Sequence, residues 1–431
     1  MTESRIEKAA ALQLIQEGRK RSLEFQSIKI EKIIEVLHGV GNVWAEGSPY
    51  FVKALEVLSR ELNFSKESIY QTLLLVPSLC DSAASVARIK AELGGLEALN
   101  DFVPTKTDGL FVKAQSRGVI LHVAAGNVFL GCIDSLVNGF LTKSYSIVKL
   151  SERNHEFPAL FADSISAVDT EGILKDKYKL VFWDRADKET EFAFKQNVDA
   201  IIAWGGESMV NSYRKDRGLQ TQMIEHGPKI SFQVVFADAF KERKFAEVAR
   251  QAVIDVATFD QSACSSAQVL FLQDEVDQAA FGEALVTAFK KFPIAAGKMT
   301  EDDAVERLKE LARGEYNEFI LGGKLVSGSN FMLHFDPSPG LRLSPLNRSL
   351  IIKKFSNLKD LESQISPFKS YLQCCGVAGS IEAQKQLASL ASQWGVTRVC
   401  GVGQMTSGKL GAPHDGEYLL RELLKWTTYE R

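Results

Sequence analysis

Val119-Ile-Leu-His-Val123 and Tyr145-Ser-Ile-Val-Lys-Leu150 are the two β-rich stretches that decide the fold of this chain. Residues 128–141, which separate them, are predicted to form a helix, so the three segments make one strand–helix–strand unit. The alternation continues through residues 157–168, 180–183 and 200–203. Such alternation is typical of βαβ units that build a mostly parallel sheet. We therefore expect an α/β fold from about residue 118 onward.

The first hundred residues have a different pattern and are predicted to be helical. Apolar side chains recur at the spacing of one helix face at Ile30, Ile33, Ile34 and Leu37. Ser65 is a candidate N-cap for a further helix. A second α/β region opens near Ser231. We expect a helical region at 1–110 packed on a nucleotide-binding domain at 111–230, a catalytic domain at 231–400, and a segment at 401–431 that returns to the cofactor and oligomerisation region.

Bulk properties exclude several classes of protein. The chain has 431 residues, which favours more than one domain, and a net charge of −3, which gives no basis for binding nucleic acid. No apolar run reaches the roughly 18–20 residues that span a bilayer, and the charged N-terminus does not resemble a secretion signal. Six cysteines lie without metal-ligand spacing, so we expect no metal site and a reduced, cytoplasmic location.

Cys264 is the candidate nucleophile. It lies in Phe259-Asp-Gln-Ser-Ala-Cys-Ser-Ser-Ala-Gln268, among small and polar residues and between two predicted strands. A thiol on such a turn can form the thiolate that attacks a carbonyl carbon. The alternative is a small buried apolar residue, which is the usual role of a free cysteine.

Asn127 is the candidate oxyanion donor. The stretch Ala124-Ala-Gly-Asn-Val128 ends a predicted strand and enters a helix. An asparagine amide at that place can donate to the oxygen that becomes negative when a thiolate attacks a carbonyl. Without a nucleophile, the same Gly-Asn pair would be an ordinary turn.

Two further strand ends carry candidate cofactor-binding residues. Lys149, Ser151 and Glu152 follow one strand, where ligands of open α/β sheets gather. Trp204, Gly205 and Gly206 end another strand and precede a predicted helix, whose N-terminus suits a pyrophosphate. The Gly-x-Gly-x-x-Gly string of ordinary Rossmann dehydrogenases is absent. The alternative for the first group is a solvated strand exit.

Glu225 is a candidate general base. It lies 39 residues before Cys264. That separation fits one strand, one helix and a return to the same cleft. The alternative is a loop carboxylate without a chemical role. For His414 and Asp415, adjacent in the chain, we expect a structural or capping role, because neighbours in sequence cannot orient each other as triad residues do.

The order of these residues resembles the aldehyde dehydrogenase superfamily over roughly residues 115–431. Within it, residues 259–264 and Ser344-Pro-Leu-Asn-Arg348 look most like the LuxC-type acyl-CoA reductases. The resemblance implies an α/β, aldehyde dehydrogenase-like fold: a Rossmann-type nucleotide-binding domain, an α/β catalytic domain and a helical N-terminal region. A second glutamate of the superfamily, which contacts the nicotinamide ribose, is replaced near Ser344.

The resemblance also implies an activity. We expect NAD(P)H-dependent reduction of an acyl thioester, fatty acyl-CoA or acyl-protein, to an aldehyde through an acyl-cysteine intermediate. NADPH is the expected cofactor, and Glu152, a carboxylate that would repel a 2′-phosphate, leaves NADH open. An acyl-activating partner enzyme or carrier protein and a homo-oligomer are expected. The alternatives are an acyl-phosphate reductase of the glutamyl-phosphate type and a non-catalytic scaffold or nucleotide-binding protein.

Overall fold

The structure, a computed structural model, describes residues 5–124, 129–151 and 155–431. The chain forms two compact units. The first unit comprises residues 1–62, 69–227 and 409–431, and the second comprises residues 63–68 and 228–408. The chain therefore enters the second unit briefly at residues 63–68 and again for residues 228–408, and its last residues belong to the first unit.

The helices and strands follow in chain order. The helices are α1 (Lys8–Gln26), α2 (Ile30–Val43), α3 (Pro49–Glu61), α4 (Lys66–Leu73), α5 (Val76–Leu79), α6 (Ser82–Leu93), α7 (Phe129–Leu141), α8 (Glu156–Val168), α9 (Lys188–Asn197), α10 (Glu207–Arg214), α11 (Phe245–Ala257), α12 (Gln278–Lys290), α13 (Glu301–Leu321), α14 (Leu358–Ile365), α15 (Ile381–Trp394) and α16 (Leu419–Glu422). The strands are β1 (Val103–Pro104), β2 (Leu110–Ser116), β3 (Val119–Val123), β4 (Tyr145–Lys149), β5 (Tyr178–Val181), β6 (Ala200–Trp204), β7 (Gln222–His226), β8 (Ile230–Val235), β9 (Ala267–Gln273), β10 (Lys324–Ser327), β11 (Met332–Phe335), β12 (Ser349–Phe355), β13 (Leu372–Ala378), β14 (Arg398–Gly401) and β15 (Leu424–Glu430).

A parallel sheet forms the centre of the first unit. Its strand order is β5-β4-β3-β6-β7, and every neighbouring pair runs parallel. All five side chains of β3 are buried, which is expected of a strand covered by helices on both faces. The βαβ alternation predicted from residues 119–203 is therefore confirmed.

The N-terminal helices belong to the same unit, and their sequence pattern agrees with their packing. The predicted stripe on α2 is buried at all four positions, Ile30, Ile33, Ile34 and Leu37. Ser65 accepts a hydrogen bond from the backbone N–H of Ser68 at 3.2 Å, as expected of an N-cap before α4. In the described ranges no single helix is long and apolar enough to cross a bilayer; residues 66–79 and 82–93 pass such a test only as a pair bent by 68°.

A small antiparallel sheet joins distant parts of the first unit. Its order is β1-β2-β15, and the β2–β15 pairing runs from Ser116 opposite Leu424 to Leu110 opposite Glu430. The C-terminal strand therefore pairs with a strand more than 300 residues earlier. Strands β1, β2 and β15 were not predicted from the sequence.

The second unit is built on a seven-stranded sheet of order β10-β11-β12-β9-β8-β13-β14. Only the edge pair β10–β11 is antiparallel. One apolar core packs α11 and α12 on one face of this sheet, and another packs α14 and α15 on the other. The predicted catalytic region is thus a parallel sheet covered on both faces.

Asp255 on α11 holds the loop that follows β14. It is fully buried, and its carboxylate accepts the backbone N–H groups of Gly403 at 2.6 Å and Met405 at 2.9 Å and the side-chain amide of Gln233 at 2.9 Å. Burial raises the pKa of this carboxyl to about 6, well above the usual range of an aspartate, although these hydrogen bonds act in the opposite direction.

The raised pKa of Asp255 predicts a pH dependence of stability. The folded state binds this proton more tightly than the unfolded chain, so its contribution is fully present below about pH 4 and is lost as the pH rises through about 6. Relative to Asp255→Asn, the wild type should lose about 3 kcal/mol of unfolding free energy between about pH 4 and pH 7. Urea unfolding at several pH values measures this. A constant difference between the two proteins would contradict it.

Candidate active site

Cys264 follows a strained backbone segment. Phe259, Asp260 and Gln261 have φ angles of 55°, 49° and 67°, which place three successive non-glycine residues in the left-handed region. Each such residue costs free energy and persists only where its surroundings hold it. The turn at 262–266 then presents Cys264, whose side chain is partly exposed, before β9 begins.

A second left-handed segment packs against the first. Leu346, Asn347 and Arg348 have φ angles of 62°, 52° and 59°. The guanidinium of Arg348 lies 2.7 Å from the Asp260 carboxylate, and the arginine is only 1% exposed. Its remaining nitrogens donate to the carbonyl oxygens of residues 294 and 295, both at 2.9 Å. This buried ion pair is therefore fully hydrogen-bonded.

Gln261 joins the two segments a second time. Its amide nitrogen donates to the carbonyl oxygens of Ala267 at 2.7 Å and Ser349 at 2.8 Å, and its amide oxygen accepts the N–H of Ser349 at 2.9 Å. The turn before Cys264 is thus tied to the first residues of both β9 and β12.

Three strands meet the cysteine at their amino ends. The side-chain amide of Gln373 on β13 donates to the Cys264 sulfur at 3.3 Å. The Ser231 hydroxyl on β8 donates to the Cys264 carbonyl oxygen at 2.9 Å and accepts the N–H of Cys374 at 3.1 Å. Gln373 lies 109 residues after Cys264 and was not identified from the sequence, which contains no local signal for it.

The other cysteines have different surroundings. Burial raises the pKa of Cys80 and of Cys132 to about 12, and it raises the pKa of Cys375. Cys374 and Cys400 have sulfur atoms 3.8 Å apart; their hydrogen bond raises the pKa of Cys374 and lowers that of Cys400. Cys264 and Cys400 are the cysteines with partly exposed side chains.

The described residues among those predicted to bind the cofactor lie at the carboxyl edge of the sheet of the first unit. The chain builds β3, β4 and β5 toward one side and then β6 and β7 toward the other, so the order reverses between β3 and β6. Ligands of open α/β sheets bind at such a switch point. Trp204 ends β6 there, and Gly206 is the N-cap of α10.

Lys149, Ser151 and Gly206 can be described individually, and their predicted role in cofactor binding stays a prediction. Lys149 is the last residue of β4, and its ammonium lies 5.0 Å from the centre of the Trp183 ring. Ser151 follows two residues later and is partly exposed. A Cβ added to Gly206 would meet no described atom within 4 Å, so the space beside this backbone is open. Asn127 and Glu152 lie outside the described residues.

Glu225 lies within strand β7, and the view of it as a loop carboxylate was wrong. It forms a two-point ion pair with Arg214 of α10, with one nitrogen–oxygen distance of 2.7 Å. Its side chain is 30% exposed. A base in this position would have to act while bound to a guanidinium, and its predicted role as general base stays a prediction.

His226, the next residue, belongs to a cluster that the sequence did not reveal. Its ring stacks on Trp204 with centres 3.7 Å apart, and its Nδ1 lies 3.1 Å from the Asp415 carboxylate. Ligand atoms of His226, His414 and Asp415 lie within 4.8 Å of one another, as do those of a second group, Glu61, His155 and Glu156. The expectation of no metal site stays a prediction.

The chain has an aldehyde dehydrogenase-like fold. A salicylaldehyde dehydrogenase from Pseudomonas putida G7 shares this fold, with a TM-score of 0.76 and 15% identity over 99% of this chain and 91% of that one. A bifunctional proline utilization A protein gives a TM-score of 0.77 and 15% identity over 99% of this chain, which spans only 45% of that protein. The predicted fold class is confirmed.

The sequence comparisons then give the family. The family model described as acyl-CoA reductase (LuxC) matches residues 25–426. A long-chain acyl-protein thioester reductase from Vibrio harveyi is 25% identical over 411 residues, covering 94% of this chain and 83% of its own length. The chain belongs to the acyl-CoA reductase (LuxC) family, and the resemblance seen in the sequence is confirmed.

The Arg348–Asp260 pair predicts a large effect on stability. Arg348→Met leaves the Asp260 carboxylate buried without its partner, which should lower the free energy of unfolding by about 3–5 kcal/mol. The matched control, Asp260→Asn combined with Arg348→Met, removes both charges and should lose clearly less. Denaturant unfolding of the wild type, the single variant and the double variant measures these losses of unfolding free energy. Equal losses in the single and double variants would show that the pair does not hold the turns.

Proposed function

We propose that this chain reduces an acyl thioester to an aldehyde, with Cys264 as nucleophile and a nicotinamide cofactor as hydride donor. The observation that carries the proposal is the partly exposed Cys264 sulfur, presented on a clamped turn with a side-chain amide donor 3.3 Å away. The family description names acyl-CoA, and the Vibrio harveyi relative is named for long-chain acyl-protein thioesters. We therefore propose a fatty acyl group carried on CoA or on a protein.

In the first half of the reaction, the Cys264 thiolate attacks the thioester carbonyl carbon. The new bond to the Cys264 sulfur forms as the bond to the carrier sulfur breaks, and the carrier thiolate leaves and takes up a proton. The backbone N–H of Cys264 and the side chain of Asn127 are the proposed donors to the transient oxyanion; one such donor is typically worth about 3–4 kcal/mol. The product is an acyl-enzyme.

In the second half, the acyl-enzyme becomes an aldehyde. A reduced nicotinamide, when bound, would supply hydride to the acyl carbon. The resulting thiohemiacetal on Cys264 collapses: its carbon–sulfur bond breaks, the electron pair returns to the sulfur, and the aldehyde leaves. No activated water is needed in this direction, so Glu225 ranks below Cys264 and Asn127 as a catalytic group, and its ion pair with Arg214 agrees with that rank.

The cofactor residues in this proposal belong to the first unit. The switch point between β3 and β6 and the open space beside Gly206 support a dinucleotide at this edge of the sheet. We propose that Lys149, Ser151 and Glu152 bind the adenosine ribose and that Trp204, Gly205 and Gly206 lie along the pyrophosphate. NADPH is the proposed cofactor, with NADH as the second candidate. An acyl-activating or carrier protein partner, a homo-oligomer and a cytoplasmic location remain predictions of the same kind.

Replacing the nucleophile tests the reaction. Cys264→Ala should abolish aldehyde formation and covalent labelling by a radioactive long-chain acyl-CoA, because the proposed acyl-enzyme forms on the Cys264 sulfur, while binding of NADPH persists. Cys400→Ala, which removes the other partly exposed thiol, is the matched control and should label like the wild type. Stable labelling of Cys264→Ala would overturn the assignment. Acyl phosphate, offered in parallel, separates thioester reductases from acyl-phosphate reductases.

A glycine substitution tests the cofactor site. Gly206 has an extended backbone, φ −67° and ψ 161°, which valine tolerates, so Gly206→Val should fold and fill the open space beside the backbone. We expect NADPH to bind at least about tenfold more weakly, or about 1.4 kcal/mol, as measured by nicotinamide fluorescence. Gly408→Val, also in open space, is the control and should bind normally. Unchanged binding by Gly206→Val would place the pyrophosphate elsewhere.

A further inference from the structure

We infer that Gln373 is a catalytic residue that stabilises the thiolate form of Cys264. This inference rests on the proposed function, in which that sulfur carries negative charge. The Gln373 amide nitrogen is 3.3 Å from the sulfur, and the glutamine is only 6% exposed. An amide N–H can only donate, and a hydrogen bond to an ionised acceptor is stronger than one to a neutral acceptor. The contact therefore favours thiolate over thiol.

The donor is held in place by the strand that lies between the two residues. Ser231 of β8 donates to the Cys264 carbonyl and accepts the N–H of Cys374, the residue after Gln373. One fully buried hydroxyl thus links the cysteine turn to β13. The backbone that carries the donor is therefore held relative to the cysteine turn.

The type of donor distinguishes this site from thiol sites that are activated by a base. Among the described residues, no histidine, lysine or arginine side chain hydrogen-bonds the Cys264 sulfur, and the neutral amide of Gln373 does. The amide cannot remove the thiol proton. It can stabilise the charged sulfur at two moments, before the attack on the thioester and when the carbon–sulfur bond of the thiohemiacetal breaks and its electron pair returns to sulfur.

The test measures the reactivity of Cys264 without turnover. Iodoacetamide alkylation of the full-length protein, without cofactor or substrate, is followed across pH by peptide mass spectrometry, which separates Cys264 from Cys400. In Gln373→Leu, the pH of half-maximal alkylation should rise by about one unit and the rate at pH 7 should fall about tenfold. Gln268→Leu is the matched control, because Gln268 bonds the carbonyl of Lys229 at 3.1 Å, and its profile should not move.

Two further variants keep the test valid if leucine disturbs folding. Gln373→Asn retains an amide, but its side chain is one methylene too short to reach the sulfur, so the pH of half-maximal alkylation should also rise. Ser231→Ala keeps the donor and frees the turn, and should give a smaller rise in the same direction. Thermal unfolding of each variant identifies a protein that has lost its structure. An unchanged or lowered midpoint in a folded Gln373 variant overturns the inference, since an amide turned the other way would stabilise the thiol.

The outcomes separate this inference from the proposed function. If the wild type forms no aldehyde from acyl thioesters but Gln373→Leu raises the pH of half-maximal alkylation, the inference about Gln373 stands and the proposed reductase function fails. If the wild type forms aldehyde but Gln373→Leu leaves the pH of half-maximal alkylation unchanged, the reductase function stands and the inference about Gln373 fails. If both hold, Gln373→Leu should also slow the first acylation of Cys264 by about the same tenfold as alkylation, with NADPH affinity unchanged.

Discussion

The buried ion pair between Arg348 and Asp260 is the constraint on which the site depends. Two left-handed backbone segments pack against each other through this pair and through Gln261. Such segments cost free energy at every residue and persist only when their surroundings determine them. Here the cost is offset by a guanidinium whose nitrogens are all bonded, and the result is a cysteine presented at a defined place rather than buried in the core.

The two units use opposite ends of their parallel sheets. In the first unit, the predicted cofactor residues follow the carboxyl ends of β4 and β6, where the strand order reverses. In the second, Cys264 lies at the amino ends of β8, β9 and β13, because the left-handed segment ends just before β9 starts. The rule that ligands gather at carboxyl ends therefore agrees with the predicted cofactor site of the first unit and not with the position of Cys264 in the second.

Sequence patterns predicted the elements that have a clear hydrophobic period. In α2, the apolar residues repeat on one face of the helix. In β3, the apolar run fills a fully buried strand. Strand β13, Leu-Gln-Cys-Cys-Gly-Val-Ala, was missed although all seven residues are buried, since glutamine, cysteine and glycine carry no strong strand signal. The β2–β15 pairing was missed because its partners lie more than 300 residues apart along the chain.

The sequence by itself determined the chemical type of the site: one cysteine among small residues, and an ordered series of strand ends that identifies the family. Only the tertiary structure decided which groups contact Cys264 and hold the turn before it. Gln373, Ser231 and Arg348 are 109, 33 and 84 residues from Cys264 along the chain, and their contacts depend on strand order and register. Periodicity reports which face of an element is buried, whereas a hydrogen bond across a sheet depends on which strands become neighbours.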